Sequence, residues 1–117
     1  MNYKLIKNKI LIWNKYNGHC AYCGCKLSIS KTHIDHIIPQ SCNGSNDFEN
    51  LNPSCFNCNN YKSSWFIEEY RYYLKQLFTN LEYLFKSKVK MKESINFGVI
   101  EIKEWDGLFY FEKYKMF

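Results

Sequence analysis

No stretch of this chain approaches the roughly 18 consecutive apolar residues that a membrane-spanning helix requires; the longest candidate is Ile10-Leu11-Ile12-Trp13. A secretory leader is also lacking, because Lys4, Lys7, Lys9 and Lys15 interrupt the apolar positions of the amino terminus. Both absences predict a chain that neither spans a membrane nor leaves the cell by classical secretion. Acidic residues are missing before Asp35, where six lysines stand unopposed. Arginine is nearly absent, since fifteen of the sixteen basic residues are Lys. That balance suits diffuse attraction to phosphates better than bidentate reading of guanine.

What is present is enough for a core. The 117 residues are 46% hydrophobic and 19% aromatic, which excludes a disordered chain. The formal charge of +5 is compatible with a nucleic-acid partner, and equally with a merely lysine-rich composition. No internal repeat, low-complexity segment or linker divides the sequence, so a single domain over residues 1–117 is expected.

The six cysteines carry the most information. Cys20-Ala-Tyr-Cys23 and Cys55-Phe-Asn-Cys58 are two Cys-x-x-Cys knuckles separated by 31 residues. Zinc takes four soft ligands in a tetrahedron, and each knuckle can supply one pair. Two disulfides would need an oxidising compartment, and a redox Cys-x-x-Cys would explain only one pair. Cys20, Cys23, Cys55 and Cys58 are therefore the expected zinc ligands. Cys25 stands two residues beyond Cys23 and could exchange with it, but the repeated spacing favours Cys23. Cys25 and Cys42 are expected as free thiols.

Around these knuckles the pattern predicts a helix over residues 3–16, with Leu5, Ile6, Ile10, Ile12 and Trp13 on its apolar side and a stop at Asn17-Gly18. Lys31 to Ile38 reads as a strand closed by Pro39, and Glu49 to Ser54 as the return segment. Helical periodicity then runs from Asn59, with Phe66, Tyr70, Tyr73, Leu74, Leu77, Leu81, Leu84 and Phe85 at three- and four-residue steps. No Pro or Gly interrupts Lys62 to Met91, which predicts one long helix. Phe97 to Lys103 and Leu108 to Lys113 flank Glu104-Trp105-Asp106-Gly107, a hairpin signal.

Tying residue 23 to residue 55 through a metal would fold the intervening segment back on itself. Asp35, His36, Asn50 and Asn59 would then share one neighbourhood. Hydrolysis of a phosphodiester needs a base for water, oxygen ligands for a divalent cation, and positive charge for the phosphates. His36 can be the base, Asp35 and Asn59 can supply the oxygens, and Lys62 can hold a phosphate.

The pattern Cys20-Ala-Tyr-Cys23-Gly24, Ile34-Asp35-His36-Ile37-Ile38-Pro39, Glu49-Asn50-Leu51 and Cys55-Phe-Asn-Cys58-Asn59-x-x-Lys62 resembles that of the HNH endonucleases over roughly residues 10–66. The tail Leu108-Phe-Tyr-Phe-Glu-Lys113 looks like that of small stand-alone phage and bacterial members. The resemblance implies an α+β domain: a ββα-metal finger built around a four-cysteine zinc site, with an N-terminal helix, a long helix after the motif and a C-terminal β-hairpin, the extension covering about 67–117. It implies a DNA endonuclease of the cytoplasm with His36 as general base. Asp35 and Asn59 would hold the catalytic cation, and Asn50 would pin the loop and orient the base. DNA would be the partner, and double-strand cutting would require a dimer or two visits. Asn59 stands where the family name implies His, a hard ligand set that favours Mg²⁺ or Mn²⁺ beside the structural Zn²⁺. The alternative is a non-catalytic zinc-ribbon module that only binds DNA.

Overall fold

The computed structural model describes residues 3–80 and 88–114. Helix α1 (Tyr3–Asn14) ends where Asn17 and Gly18 take φ of 56° and 79°. A side chain at Gly18 is excluded twice over: its φ is left-handed, and a Cβ would lie 2.9 Å from Cζ2 of Trp13. Trp13 in turn donates its indole N–H to the Leu27 carbonyl at 2.8 Å. Ile12 and, just beyond the helix, Tyr16 are buried, whereas Ile10 and Leu11 stay exposed. Of the expected apolar positions, Ile10 is thus on the solvent side.

After the turn comes the first knuckle, closed by Cys20 N–H to the Cys25 carbonyl (2.8 Å) and Gly24 N–H to the Cys20 carbonyl (3.0 Å). Strands β1 (His33–His36) and β2 (Leu51–Ser54) pair antiparallel, with His33 opposite Ser54, Ile34 opposite Pro53, Asp35 opposite Asn52 and His36 opposite Leu51. An isolated two-stranded ribbon is marginal. Here the knuckle buttresses it, because Ala21 N–H donates to the Pro53 carbonyl at 2.8 Å. Helix α2 (Phe56–Lys62) follows directly, its first turn capped by the Cys55 sulfur, which accepts from Cys58 N–H. The strand–strand–helix order is that of the expected α+β finger.

Two expectations are corrected beyond this point. The single long helix is interrupted: α2 stops at Lys62, Ser63 takes φ of 50°, and a new helix α3 (Ile67–Thr79) begins. Glu69 caps that start by accepting from Phe66 N–H at 3.0 Å. A further helix, α4, runs over Lys88–Asn96. The predicted stripe positions Leu81, Leu84 and Phe85 lie outside the described residues. The C-terminal hairpin is likewise replaced by a short helix, α5 (Tyr110–Tyr114). Its backbone donors go to the knuckle instead of to a strand partner: Tyr110 N–H to the Tyr22 carbonyl at 3.1 Å and Phe111 N–H to the Ala21 carbonyl at 2.7 Å. Glu112 then caps the helix by accepting from Phe109 N–H at 2.9 Å.

Two compact units result, Met1–Tyr70 with Leu108–Phe117, and Arg71–Gly107. The core of the first is aromatic. Phe109, 1% exposed, stacks on Tyr70 at 5.3 Å and meets Tyr22 edge-on at 5.5 Å, while Phe111 meets Tyr22 edge-on at 5.9 Å. Such pairs add about 0.5–1.5 kcal/mol each beyond the area they bury. In the second unit Met91 is buried and the Arg71 guanidinium donates to the Gly107 carbonyl. No helix among the described residues is long and apolar enough to cross a membrane.

Candidate active site and metal centre

The two knuckles converge as the spacing requires, and they bring one sulfur more than expected. The sulfurs of Cys20, Cys23, Cys25 and Cys55 all lie within 4.8 Å of one another. Cys23 and Cys55 are 3.8 Å apart, which is the edge, about 3.8 Å, of a tetrahedron drawn around zinc at about 2.3 Å from each sulfur. Cys58 lies on the buried side, its backbone N–H donating to the Cys55 sulfur at 3.4 Å. All six cysteines are free of disulfides, and Cys42 stands exposed beside Ser41. The expectation that Cys25 is a bystander like Cys42 is corrected: the knuckle turn carries its sulfur into the cluster.

Negative charge concentrates on Cys20. Hydrogen bonds from the Cys23 and Cys58 thiols, aided by Cys55 N–H at 3.4 Å, hold its pKa far below the usual thiol range against the opposing effect of burial. A buried thiolate collecting three donors is the arrangement that a thiophilic cation would take over. The donor set therefore fits a metal such as zinc.

At the other end of α2 lies a cleft of about 470 Å³, lined among others by Asp35, His36, Gln40, Asn59 and Ser63. The knuckle spacing predicts that Asp35, His36, Asn50 and Asn59 share one neighbourhood; the cleft is lined by Asp35, His36 and Asn59, and Asn50 is not among its lining residues. Neighbours in a strand point to opposite faces, and the two from β1 differ accordingly. Asp35 is buried, and its Oδ2 accepts from the Tyr22 hydroxyl and pairs with the Lys62 ammonium at 3.1 Å. Burial pushes the Asp35 carboxyl up, and these two partners only partly pull it back. The Tyr22 hydroxyl is pushed well up, by burial first and by the Asp35 charge second.

His36 is half-buried, and its Nε2 sits 2.8 Å from Asn46 Oδ1. The hydrogen bonds of Asn50 go elsewhere. Asn50 staples the loop: its Oδ1 accepts from Ile38 N–H at 2.8 Å, and its Nδ2 donates to the Ser45 carbonyl at 2.8 Å and the Ile38 carbonyl at 3.1 Å. Asn50 thus fastens the loop that carries Asn46, the residue beside the His36 ring. Lys15 fastens the same loop from just past α1, donating to the Phe48 and Leu51 carbonyls at 2.8 Å each.

Lys62 is a correction. Its side chain is 0% exposed, donates to the His36 carbonyl at 3.0 Å and pairs with Asp35. An ammonium so enclosed is out of reach of a phosphate in solution; it fixes the strand and the carboxylate instead. Asn46, Tyr22 and Lys15 are contacts that the sequence does not announce: Asn46 carries only a turn signal, and nothing in spacing marks the other two.

Comparison with known proteins adds to this geometry. Residues 20–64 match the model of the HNH endonuclease family, so the resemblance holds across the whole paired-knuckle segment. Over 51 residues the chain is 41% identical to the CRISPR-associated endonuclease Cas9 of Corynebacterium diphtheriae, covering 43% of this chain and 5% of that protein. The crystal structure of the Type II-C Cas9 enzyme from Actinomyces naeslundii shares the fold with a TM-score of 0.56 and 23% identity, over 62% of this chain and 8% of that one. The chain thus spans only a small fraction of either relative's length.

Proposed function

We propose that residues 20–64 form a metal-dependent endonuclease centre that hydrolyses phosphodiester bonds in DNA, in keeping with the family model they match. The observation that carries this reading is a cleft in which an imidazole, a carboxylate and a carboxamide meet. His36 is the base. With Asn46 Oδ1 2.8 Å from Nε2, the tautomer protonated on Nε2 would donate to that oxygen and leave the Nδ1 lone pair for water. Nδ1 then accepts a proton from water as the water oxygen attacks phosphorus and the bond to the departing 3′ oxygen breaks.

Asp35 and Asn59 would hold the divalent cation, and their hard oxygen donors suit Mg²⁺ or Mn²⁺. Bound there, such an ion offsets charge on the phosphate and the leaving oxygen. Lys62 keeps Asp35 in place, and Asn50 and Lys15 keep the loop rigid. The knuckle cysteines Cys20, Cys23, Cys55 and Cys58 would hold structural zinc. Thiolates of this kind persist in a reducing, intracellular compartment. One cleft nicks one strand, so cutting both calls for a second copy or a second visit.

Supercoiled plasmid incubated with the chain tests the reading. Nicking is expected with Mg²⁺ or Mn²⁺, none with EDTA, and a loss of about 10²–10⁴-fold in His36→Ala at unchanged zinc content and circular dichroism. DNA binding without nicking by the wild-type chain would overturn the enzyme reading in favour of a zinc-ribbon binding module. Wild-type rates in His36→Ala would remove His36 from the role of base.

A further inference from the structure

The thiol centre holds five sulfurs where a tetrahedral ion takes four. Cys20, Cys23 and Cys55 belong to both candidate sets, one given by the sulfur geometry and the other by the paired Cys-x-x-Cys spacing. Cys25 completes one of them, a tetrad within 4.8 Å. Cys58 completes the other by its Cys-x-x-Cys spacing from Cys55, whose sulfur accepts from the Cys58 N–H at 3.4 Å. The two candidates for the fourth position differ in their access to solvent: Cys58 is 7% exposed, while Cys25 is exposed. Closure of the knuckle by the Cys20 N–H to Cys25 carbonyl bond keeps Cys25 beside the cluster, so its presence there does not depend on a side-chain excursion.

We infer that Cys25 is a fifth zinc-competent thiolate, interchangeable with Cys58, on a base of three shared ligands. In the exchange the Cys25 sulfur forms a bond to the ion as the Cys58 bond breaks, and one proton passes from the Cys25 thiol to the Cys58 thiolate, so charge is unchanged. The exposed sulfur gives the ion an entry and exit route through solvent, while the buried sulfur completes the set from the other side. This inference rests on the reading of the centre as a zinc site.

Zinc per chain, measured by atomic emission on the purified full chain, tests it. One zinc is expected in the wild type and in Cys25→Ser. Cys58→Ser should still bind zinc, and Cys25→Ser/Cys58→Ser should lose it. A wild type without zinc sinks the zinc reading itself; a wild type with zinc and a Cys58→Ser chain without it sinks only the exchange. Zinc retained by the double variant also overturns it. Alkylation of the zinc-loaded wild type provides a check that needs no variant to fold. With iodoacetamide, Cys25 should react severalfold more slowly than Cys42, which is also exposed, and a chelator should abolish that difference. Equal rates with zinc bound would mean that Cys25 never occupies the metal.

Discussion

The two ends of α2 make contrasting sites within seven residues. Its start contributes Cys55 and Cys58 to a centre in which side chains converge on a common point. Its end contributes Asn59 to a cleft and Lys62 to the buried support beneath it, and two of the cleft groups are engaged already: Asp35 with Lys62 and Tyr22, and His36 with Asn46. The first site suits completion by an ion that ties distant parts of the chain together. The second is held ready by the protein itself. Damage at the thiol end should therefore appear as unfolding, and damage at the cleft end as lost or slowed chemistry.

The sharpest way to break this contrast is Cys20→Ser, because Cys20 is fully buried and common to both ligand sets. Structural zinc contributes on the order of 10–16 kcal/mol in finger peptides, against total stabilities of about 5–15 kcal/mol. Cooperative thermal unfolding should vanish from circular dichroism; a folded, zinc-free variant would refute the division. Next in size is Lys62→Met, which strands a buried carboxylate. Loss of one member of a buried ion pair costs about 3–5 kcal/mol, read as a lower urea midpoint at unchanged slope. A shift under about 1 kcal/mol, small beside that cost, would mean that Lys62 does not hold Asp35. Smallest is Asn46→Leu, which removes one hydrogen bond worth about 0.5–1.5 kcal/mol. Nicking should fall up to about tenfold, with the urea midpoint nearly unmoved; an equal loss of stability would make Asn46 a loop staple like Asn50.

Legibility in the sequence followed the same divide. Chelation imposes fixed spacings, so the two knuckles, the folded-back strands between them and the meeting of Asp35, His36 and Asn59 could all be anticipated from Cys20 to Lys62. Periodicity alone was less informative. It shows which residues want burial but not where a backbone turns, and Ser63, with its positive φ, divides a helix that no Pro or Gly marks. The hairpin signal failed because Tyr110 and Phe111 find backbone acceptors on the knuckle. Lys62 misled because a lysine is ordinarily solvated, and only the register that buries Asp35 reveals why this one is not. Cys25 is visible as a possible substitute for Cys23, but the regular pairs around it argue against it, and only the knuckle turn shows its sulfur within the cluster.

The attachment of residues 108–114 to the first knuckle also affects how the chain matures. During synthesis every thiol and every cleft residue emerges well before Phe109 and Phe111 exist to seal the aromatic cluster over Tyr22. A nascent chain in that interval holds a full set of reactive groups on an unfinished scaffold. The packing around the Tyr22 ring, whose hydroxyl holds the Asp35 carboxylate, is completed only by that late-made aromatic pair.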